Sequence, residues 1–551
     1  MSMNTTDASF QTVDDHIDTV IQIELVVVLT LLSIIFILSK YLHARPKLAA
    51  ILPEAGMVIL FSIAVGFMFD LYRGDRPWNE ISTNTTALEA TVLRKHSMKE
   101  HITRVLLSFS SSSFFYAMLP PIIYNAGYNL KREIFLRHLK PITLFAVIGT
   151  TVSALTITVI LQIAKQWNLT GGFKPTLVEI LTFGSLISAT DPISTLAVFQ
   201  AKQVDPQLFY LVFGESVLND GVGYVLFATC SSLLNKVNED DSPREILVTV
   251  LEFLGSLTYI FVGSTIFGIL VGLFAAYLYS KVDMSHTPLH ELGLFIIIVY
   301  LPYFLANLLG FSGIISIFLI AMMAKRFAAP NLSCETQRNA DAVFRILAHV
   351  AETYVFLELG MSVFGISSAG SFNLPFILWA ILACLIGRIV NVYPITFFFN
   401  RSLGTQMESQ PDNSLSLTEN DSDDIEDEVK TLKHISSKND LRINRNVAHV
   451  LWFSGLRGGV AYACARAFPN EYGNREVFVV TTMAITLFTV FGFGCTTDLV
   501  LNVMSVDQSV DEDEYMNLNE TVEKIARFQA WGTYSLFAYY LCSILFVLIY
   551  T

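Results

Sequence analysis

The segment FGESVLNDGVGYVL, residues 213–226, sets Glu215, Asn219 and Asp220 inside an otherwise apolar run. A carboxylate at the centre of a bilayer costs about 2.5–3.5 kcal/mol on insertion scales, so each must be paired, protonated or hydrated in a cavity. Glu215 and Asn219 are four residues apart and share a helix face, whereas Asp220 is turned about 100° from Asn219. The two carboxylates can therefore serve different ends. Glu215 can pair with a buried arginine, for which Arg388 in LIGRIVNVYP and Arg457 in SGLRGG are the candidates, while Asp220 has no obvious basic partner. Burial penalises the charged form of such a carboxylate, which makes it a proton site.

A second polar cluster, SATDPIS at 188–194, interrupts another apolar run. Pro192 has no N–H to give the carbonyl of Ser188 and pushes Asp191 away from helical dihedrals, so carbonyls are freed there. Sodium and potassium ions take hard oxygen ligands. Asp220, Asn219, the Thr190 hydroxyl, Asp191 and the freed carbonyls near Ser188 can supply them together, so that proton and cation compete at Asp220. A matching interruption lies at WFSGLRGGVAYA, residues 452–463, which places Gly455, Arg457, Gly458 and Gly459 in one span. Glycine weakens a helix and admits close packing. A packing seam or a tolerated proline kink would explain either segment alone. Two interrupted helices in corresponding halves point instead to an inverted-repeat transporter with a site at the membrane midplane.

The elements that must position these groups are membrane helices. Of the 551 residues, 53% are hydrophobic and only 15% charged, with a mean hydropathy of +0.53, which excludes an ordinary soluble multidomain protein. Runs long enough to span a hydrocarbon core lie at 21–43, 49–72, 105–130, 139–164, 177–200, 208–234, 246–281, 289–310, 342–365, 373–400, 446–468 and 477–503. A shorter run at 313–325 is either re-entrant or borrows flanking residues. The expectation is an all-α, multi-pass protein of about thirteen transmembrane helices. A last apolar run, 528–551, spans or lies in the interface. The expected divisions are an acidic N-terminal segment 1–20, a membrane domain over 21–400 and 446–504, an acidic linker 401–445, and an acidic segment with an apolar helix over 505–551.

Lys40, Arg45 and Lys47, then Lys131, Arg132, Arg137 and Lys140, mark two basic connections as cytoplasmic and put the N-terminus outside or in a lumen. The linker 401–445 is then cytoplasmic. The basic segment 73–104 runs against this rule, and its sequon Asn84-Thr85-Thr86 suits a lumenal loop. Residues 1–19 are acidic and lack a cleavable signal pattern, so the first span is expected to act as its own membrane address. The net charge of −13 gathers in DSDDIEDE at 421–428 and DEDE at 511–514, read as solvated loop. The six cysteines show no paired spacing and read as apolar filler. Nothing basic or aromatic is arranged for nucleic acid.

Taken together, SATDPIS, FGESVLND and SGLRGG resemble the eukaryotic sodium/proton exchangers of the monovalent cation/proton antiporter superfamily. The resemblance covers roughly residues 20–505 and includes LPEAG at 52–56, LPPIIYNAGYNL at 119–130, AETYVF at 351–356 and GRIVNVYP at 387–394. The last two are similar to the organellar branch, which implies an endosomal, Golgi or vacuolar membrane ahead of the plasma membrane. The resemblance also implies two inverted repeats, a dimerisation domain with a mobile core that carries the ion across, and a homodimer. It places the essential aspartate at Asp220 with its asparagine at Asn219, and the crossed, unwound helix at Thr190, Asp191 and Pro192. It puts the buried ion pair at Glu215 with Arg388, and further polar core residues at Glu352 and Arg457. An asparagine–aspartate pair implies electroneutral exchange of one Na+ or K+ for one H+, with no cofactor beyond the transported ions.

The chain departs from that pattern at Gly221, Gly223 and Tyr224, where small or β-branched apolar residues are usual, and at Glu358, normally apolar. Tyr224, four residues beyond Asp220, is expected to reach it with its hydroxyl, and Glu358 is a second candidate modulator. The linker 401–445 is long and acidic for the family, and an acidic segment with a final apolar run is expected in place of the large soluble regulatory tail of the plasma-membrane members. A monovalent cation channel and a membrane-embedded hydrolase are the alternatives. The first lacks a carbonyl filter motif, and the second lacks a nucleophile elbow, an HExxH and a second catalytic aspartate motif.

Overall fold

The computed structural model describes residues 4–45, 52–73, 110–191, 193–234, 243–282, 284, 286–364, 372–408 and 442–510. Pro192, the sequon at 84–86, the acidic runs at 421–428 and 511–514 and the apolar run 528–551 lie outside the described residues. Every regular element among the described residues is a helix. Nine helical stretches among them are long and apolar enough to cross a membrane. The expected thirteen is not reached by that count. The runs at 177–200 and 446–468 are split into pieces of 8 to 12 residues, too short to span singly.

In chain order the helices are α1 Asn4–His43, α2 Glu54–Arg73, and α3, which starts at Ser111–Ser113 and passes through a π turn, Phe114–Met118, into Leu119–Tyr128. Then come α4 Arg132–Arg137, α5 Leu139–Gln166, α6 Leu177–Ser188, α7 Ile193–Lys202, α8 Pro206–Leu233, α9 Pro243–Lys281 and α10 Pro288–Leu308. The rest are α11 Gly313–Met323, α12 Cys334–Ser362, α13 Leu374–Glu408, α14 Arg445–Phe453, α15 Gly459–Arg466, α16 Arg475–Gly492 and α17 Thr497–Val503. α1 is one helix of 40 residues that runs through the acidic segment expected at 1–20. α11 settles the short run at 313–325 by borrowing flanking residues, which continue the helical path to Asn331. α13 runs to Glu408, into the expected linker.

The helices gather into two packed groups. In one, α12 lies along α2 and α3, and α11 packs between α3, α9 and α10. In the other, α5 packs on α6 and α13, and α8 on α6, with α14 and α16 against α13. α8 and α15 meet the first group through α9, α11 and α12. The outward faces stay apolar. On α9, Tyr259, Ile266, Leu270 and Phe274 are each more than half exposed, a stripe that hydrocarbon tolerates and water does not.

Local chemistry fixes where the core helices start. Thr176 and Glu179 form a reciprocal capping box at the head of α6, and Asn474 donates to the same Glu179 carboxylate at 3.0 and 3.1 Å. Asp205 caps α8 ahead of Pro206. Past α17, Ser509 and Val510 donate to the carbonyls of Lys202 and Gln203, while the Asp205 N–H donates to the Asp507 carbonyl. The residues just past α17 thus strap the α7–α8 connection.

Candidate ion site at the crossing of two broken helices

α6 stops at Ser188 because Ala189 turns to the extended φ −61, ψ 136, and Thr190 and Asp191 are not helical. α14 stops at Phe453, and α15 starts after Gly458 at φ −132, ψ −159. The two breaks cross. The Asp191 N–H donates to the Leu456 carbonyl at 2.9 Å. Gly458 is needed for this approach, while Gly455 and Gly459 let α13 and α12 pack against the second break. A Cβ on Gly458 would overlap the Asp191 carboxylate, one on Gly459 would overlap Val355, and one on Gly455 would lie 2.7 Å from Arg388 Nε.

Each break leaves a helix C-terminus with unpaired carbonyls and the negative end of a dipole inside the fold. An arginine meets each. Arg457, 1% exposed, donates Nη1–H to the carbonyls of Ser188 and Ala189 at 3.4 and 3.3 Å, while its own backbone N–H is taken by Thr489 Oγ1 at 3.1 Å. Arg388 donates Nη2–H to the Leu451 carbonyl at 2.8 Å, at the end of α14. Arg388 also grips Glu215 with both terminal nitrogens, Nη2 to Oε2 at 2.9 Å and Nη1 to Oε1. Of the two arginines open to Glu215, Arg388 therefore takes it.

Ser188 is held by the same geometry. Its carbonyl accepts from Arg457 at 3.4 Å and its hydroxyl donates to the Ser185 carbonyl at 2.7 Å. The Arg457 guanidinium thus stands beside the freed carbonyls of Ser188 and Ala189.

α8 clamps Thr190 from the other side. Asn219 Nδ2 donates to Thr190 Oγ1 at 2.6 Å, and Ser216 Oγ donates to the Thr190 carbonyl at 3.2 Å. With its amide nitrogen engaged, Asn219 presents Oδ1. That atom and Asp220 Oδ1 are both buried without a hydrogen-bond partner. Gly223 and Gly221 explain how α8 comes so near, since a Cβ would lie 2.9 Å from Ala189 on the first and 2.8 Å from Ile315 on the second.

Asp220 and Asp191 open into a cavity of about 710 Å³ that Glu54 of α2 and Glu352 and His349 of α12 also line. Four carboxylates and one imidazole facing a shared space draw cations and repel anions. Glu54 accepts from Ser39 Oγ at 2.5 Å and stands 3.8 Å from His349 Nε2. Sequence reasoning did not assign Glu54, His349 or Ser216. Glu54 lay in the quoted LPEAG and Ser216 beside Glu215, but nothing in the sequence says that α2 and α12 converge on α8.

The two departures fall elsewhere. Glu358 is 8% exposed and bonded to the Tyr354 hydroxyl, and it does not line the cavity. Tyr224 does not bond Asp220. Its ring packs on Phe115, with centroids 5.2 Å apart, and faces a different cavity. The π turn of α3 holds Phe115 there, which the expected reach of the Tyr224 hydroxyl did not take into account.

A family model described as the transmembrane part of sodium/hydrogen exchangers matches residues 27–503. The chain belongs to the sodium/hydrogen exchanger family. Within it, human sodium/hydrogen exchanger 8 is 34% identical over 402 residues, covering 73% of this chain and 62% of that protein. Sodium/hydrogen exchanger 1 of Dictyostelium discoideum is 27% identical over 473 residues, covering 86% of this chain and 59% of its own length. The chain thus spans about three fifths of the curated relatives it matches. In fold it is similar to the sodium proton antiporter MjNhaP1 of Methanocaldococcus jannaschii seen by electron microscopy. The TM-score is 0.50 over 86% of this chain and 96% of that one, and at 15% identity the likeness concerns the fold alone.

Proposed function

We propose that the chain is a secondary antiporter that exchanges Na+, K+ or both for H+ across a membrane, one for one, by alternating access. The observation that carries this reading is the buried Asp220 Oδ1, which has no hydrogen-bond partner and stands at an acid-lined cavity next to the unpaired Asn219 Oδ1. A buried carboxylate must be neutralised, and either a proton or a monovalent cation does so. Asp220, Asn219, the Thr190 hydroxyl and Asp191 supply the oxygens for the cation, while Glu215 with Arg388, Arg457 and Glu352 make up the polar frame. Because one carboxylate serves both cargoes, loading one expels the other. The printed names of the relatives support sodium and protons as the cargo.

The chain works as a homodimer with no cofactor and no chemical step, in an endosomal, Golgi or vacuolar membrane ahead of the plasma membrane. The motifs AETYVF and GRIVNVYP support that compartment. The test is purified protein in liposomes loaded with a pH dye, with an outward-directed Na+ or K+ gradient imposed in turn. Cation-driven proton flux supports the reading. A steady conductance without proton coupling would make the chain a channel instead.

A further inference from the structure

The cavity at Asp220 shares Asn125, Ala126, Gln200 and Phe213 with a space of about 550 Å³ that reaches Asn129 and Lys131. Its way out is therefore at the end of α3 that carries the basic connection. A separate cavity of about 610 Å³ lies at the other end of α3, lined by Ser111, Ser112, Tyr303 and Asn307 among others. What divides the two is thin. Phe114 faces the first cavity and its neighbour Phe115 the second, while Asp220 faces the first and Tyr224, one turn along α8, the second.

Three contacts hold the partition. Phe115 packs on Tyr224 at 5.2 Å and on Phe114 at 5.3 Å between ring centroids, and the Tyr303 hydroxyl donates to the Phe115 carbonyl at 2.7 Å. Phe115 lies in the π turn of α3, a widened turn of the kind found at functional positions. Phe115 and Tyr303 belong to one packed group of helices and Tyr224 to the other. Any movement of one group against the other must part these rings.

We propose that Tyr224 and Phe115, with Tyr303 as the latch on the Phe115 carbonyl, are the gate that shuts Asp220 off from the membrane face opposite Lys131. The proposal rests on the transport reading for its purpose, and its geometry is tested without transport. Tyr224 is a gating residue here and makes no contact with the cargo in this state.

The experiment places a thiol inside the gate with Val217→Cys, at a position that lines the Asp220 cavity one turn towards Lys131. Protein in sealed vesicles is treated from one face or the other with a small membrane-impermeant methanethiosulfonate, and modification at position 217 is read by peptide mass spectrometry. With the gate intact, the introduced thiol labels from the Lys131 face and slowly from the other. Adding Tyr224→Ala raises labelling from the opposite face about tenfold, the factor that about 1.4 kcal/mol gives, at the top of what one offset aromatic pair contributes. Tyr303→Phe raises it less, and Tyr224→Phe, which keeps the ring, leaves it unchanged. Unchanged labelling from the Lys131 face shows that the fold persists. Should Tyr224→Ala lose that control, Phe115→Ala in the same assay decides. Equal labelling from both faces with the gate intact, or no rise in the ring-deleted variants, overturns the gate. Absence of cation-driven flux in liposomes would sink the transport reading and leave the labelling result standing.

Discussion

Glu215 and Asp220 stand five residues apart on α8 and have opposite surroundings. Both Glu215 oxygens meet Arg388, whereas Asp220 Oδ1 meets nothing. Removing one side of a buried pair strands the other charge at a cost of about 3–5 kcal/mol. Glu215→Gln and Arg388→Met should therefore each lower stability by about that amount, and the double replacement by much less than the sum. Thermal unfolding in detergent measures this, and strictly additive losses would show that the pair is not coupled. Glu358 belongs to the other class of buried carboxylate. It is bonded to Tyr354 and absent from the lining of the Asp220 cavity. Flux in liposomes should not respond to a clamped membrane potential, either in the parent or in Glu358→Gln, beyond a modest change of pH dependence. A flux that follows the potential in the parent and ceases to do so in the variant would make Glu358 a second transport carboxylate.

At the scale of elements, the two breaks are legible because proline and glycine act on the chain locally, whatever the rest of the fold does. Which arginine meets which helix end is not legible, since Arg388 reaches Glu215 across 173 residues of sequence and Arg457 reaches Ser188 across 269. Gly458→Ala puts a methyl group into the Asp191 carboxylate. The expected result is loss of exchange together with a lower unfolding temperature, whereas Gly473→Ala, with nothing near its Cβ but a φ of +74, should cost stability alone. Gly458→Ala with parental flux would mean that the crossing tolerates being pushed apart.

The strap after α17 has its own pH dependence. Burial raises the Asp205 carboxyl above its ordinary value of 3.8, the Gln207 N–H opposes that rise, and Asp507 adds to it. Docking the strap beside Asp205 therefore favours its protonated form, and docking weakens as pH rises through the raised Asp205 value. Asp205→Asn keeps the helix cap and removes the charge. It should slow amide exchange at Ser509 and Val510 at neutral pH, with the difference from the parent closing towards pH 3.8. Faster exchange in the variant at neutral pH would show that the ionised carboxylate holds the strap down.

At the scale of the whole molecule, the all-helical architecture and the buried polar frame follow from apolar run lengths and from polar residues that a bilayer would not otherwise tolerate. The convergence of α2 and α12 on α8 does not. Glu54, His349 and Glu352 reach the Asp220 cavity from one packed group, while Asp191 and Asp220 come from the other, and only tertiary packing brings them together. The division also gives Asp220 its place, at the boundary where two bundles meet and where one sliding against the other would expose it to either face.

The central claim is that one carboxylate holds either the cation or the proton. The measurement that tests it most directly is cation-driven proton flux in liposomes carrying Asp220→Asn, alongside size-exclusion profiles and unfolding temperatures for variant and parent. Asparagine keeps the shape and removes the charge that, on this account, the proton and the cation share. The account predicts no flux with Na+ or with K+ from a variant that is folded and assembled like the parent. Flux retained by a folded Asp220→Asn protein would contradict it.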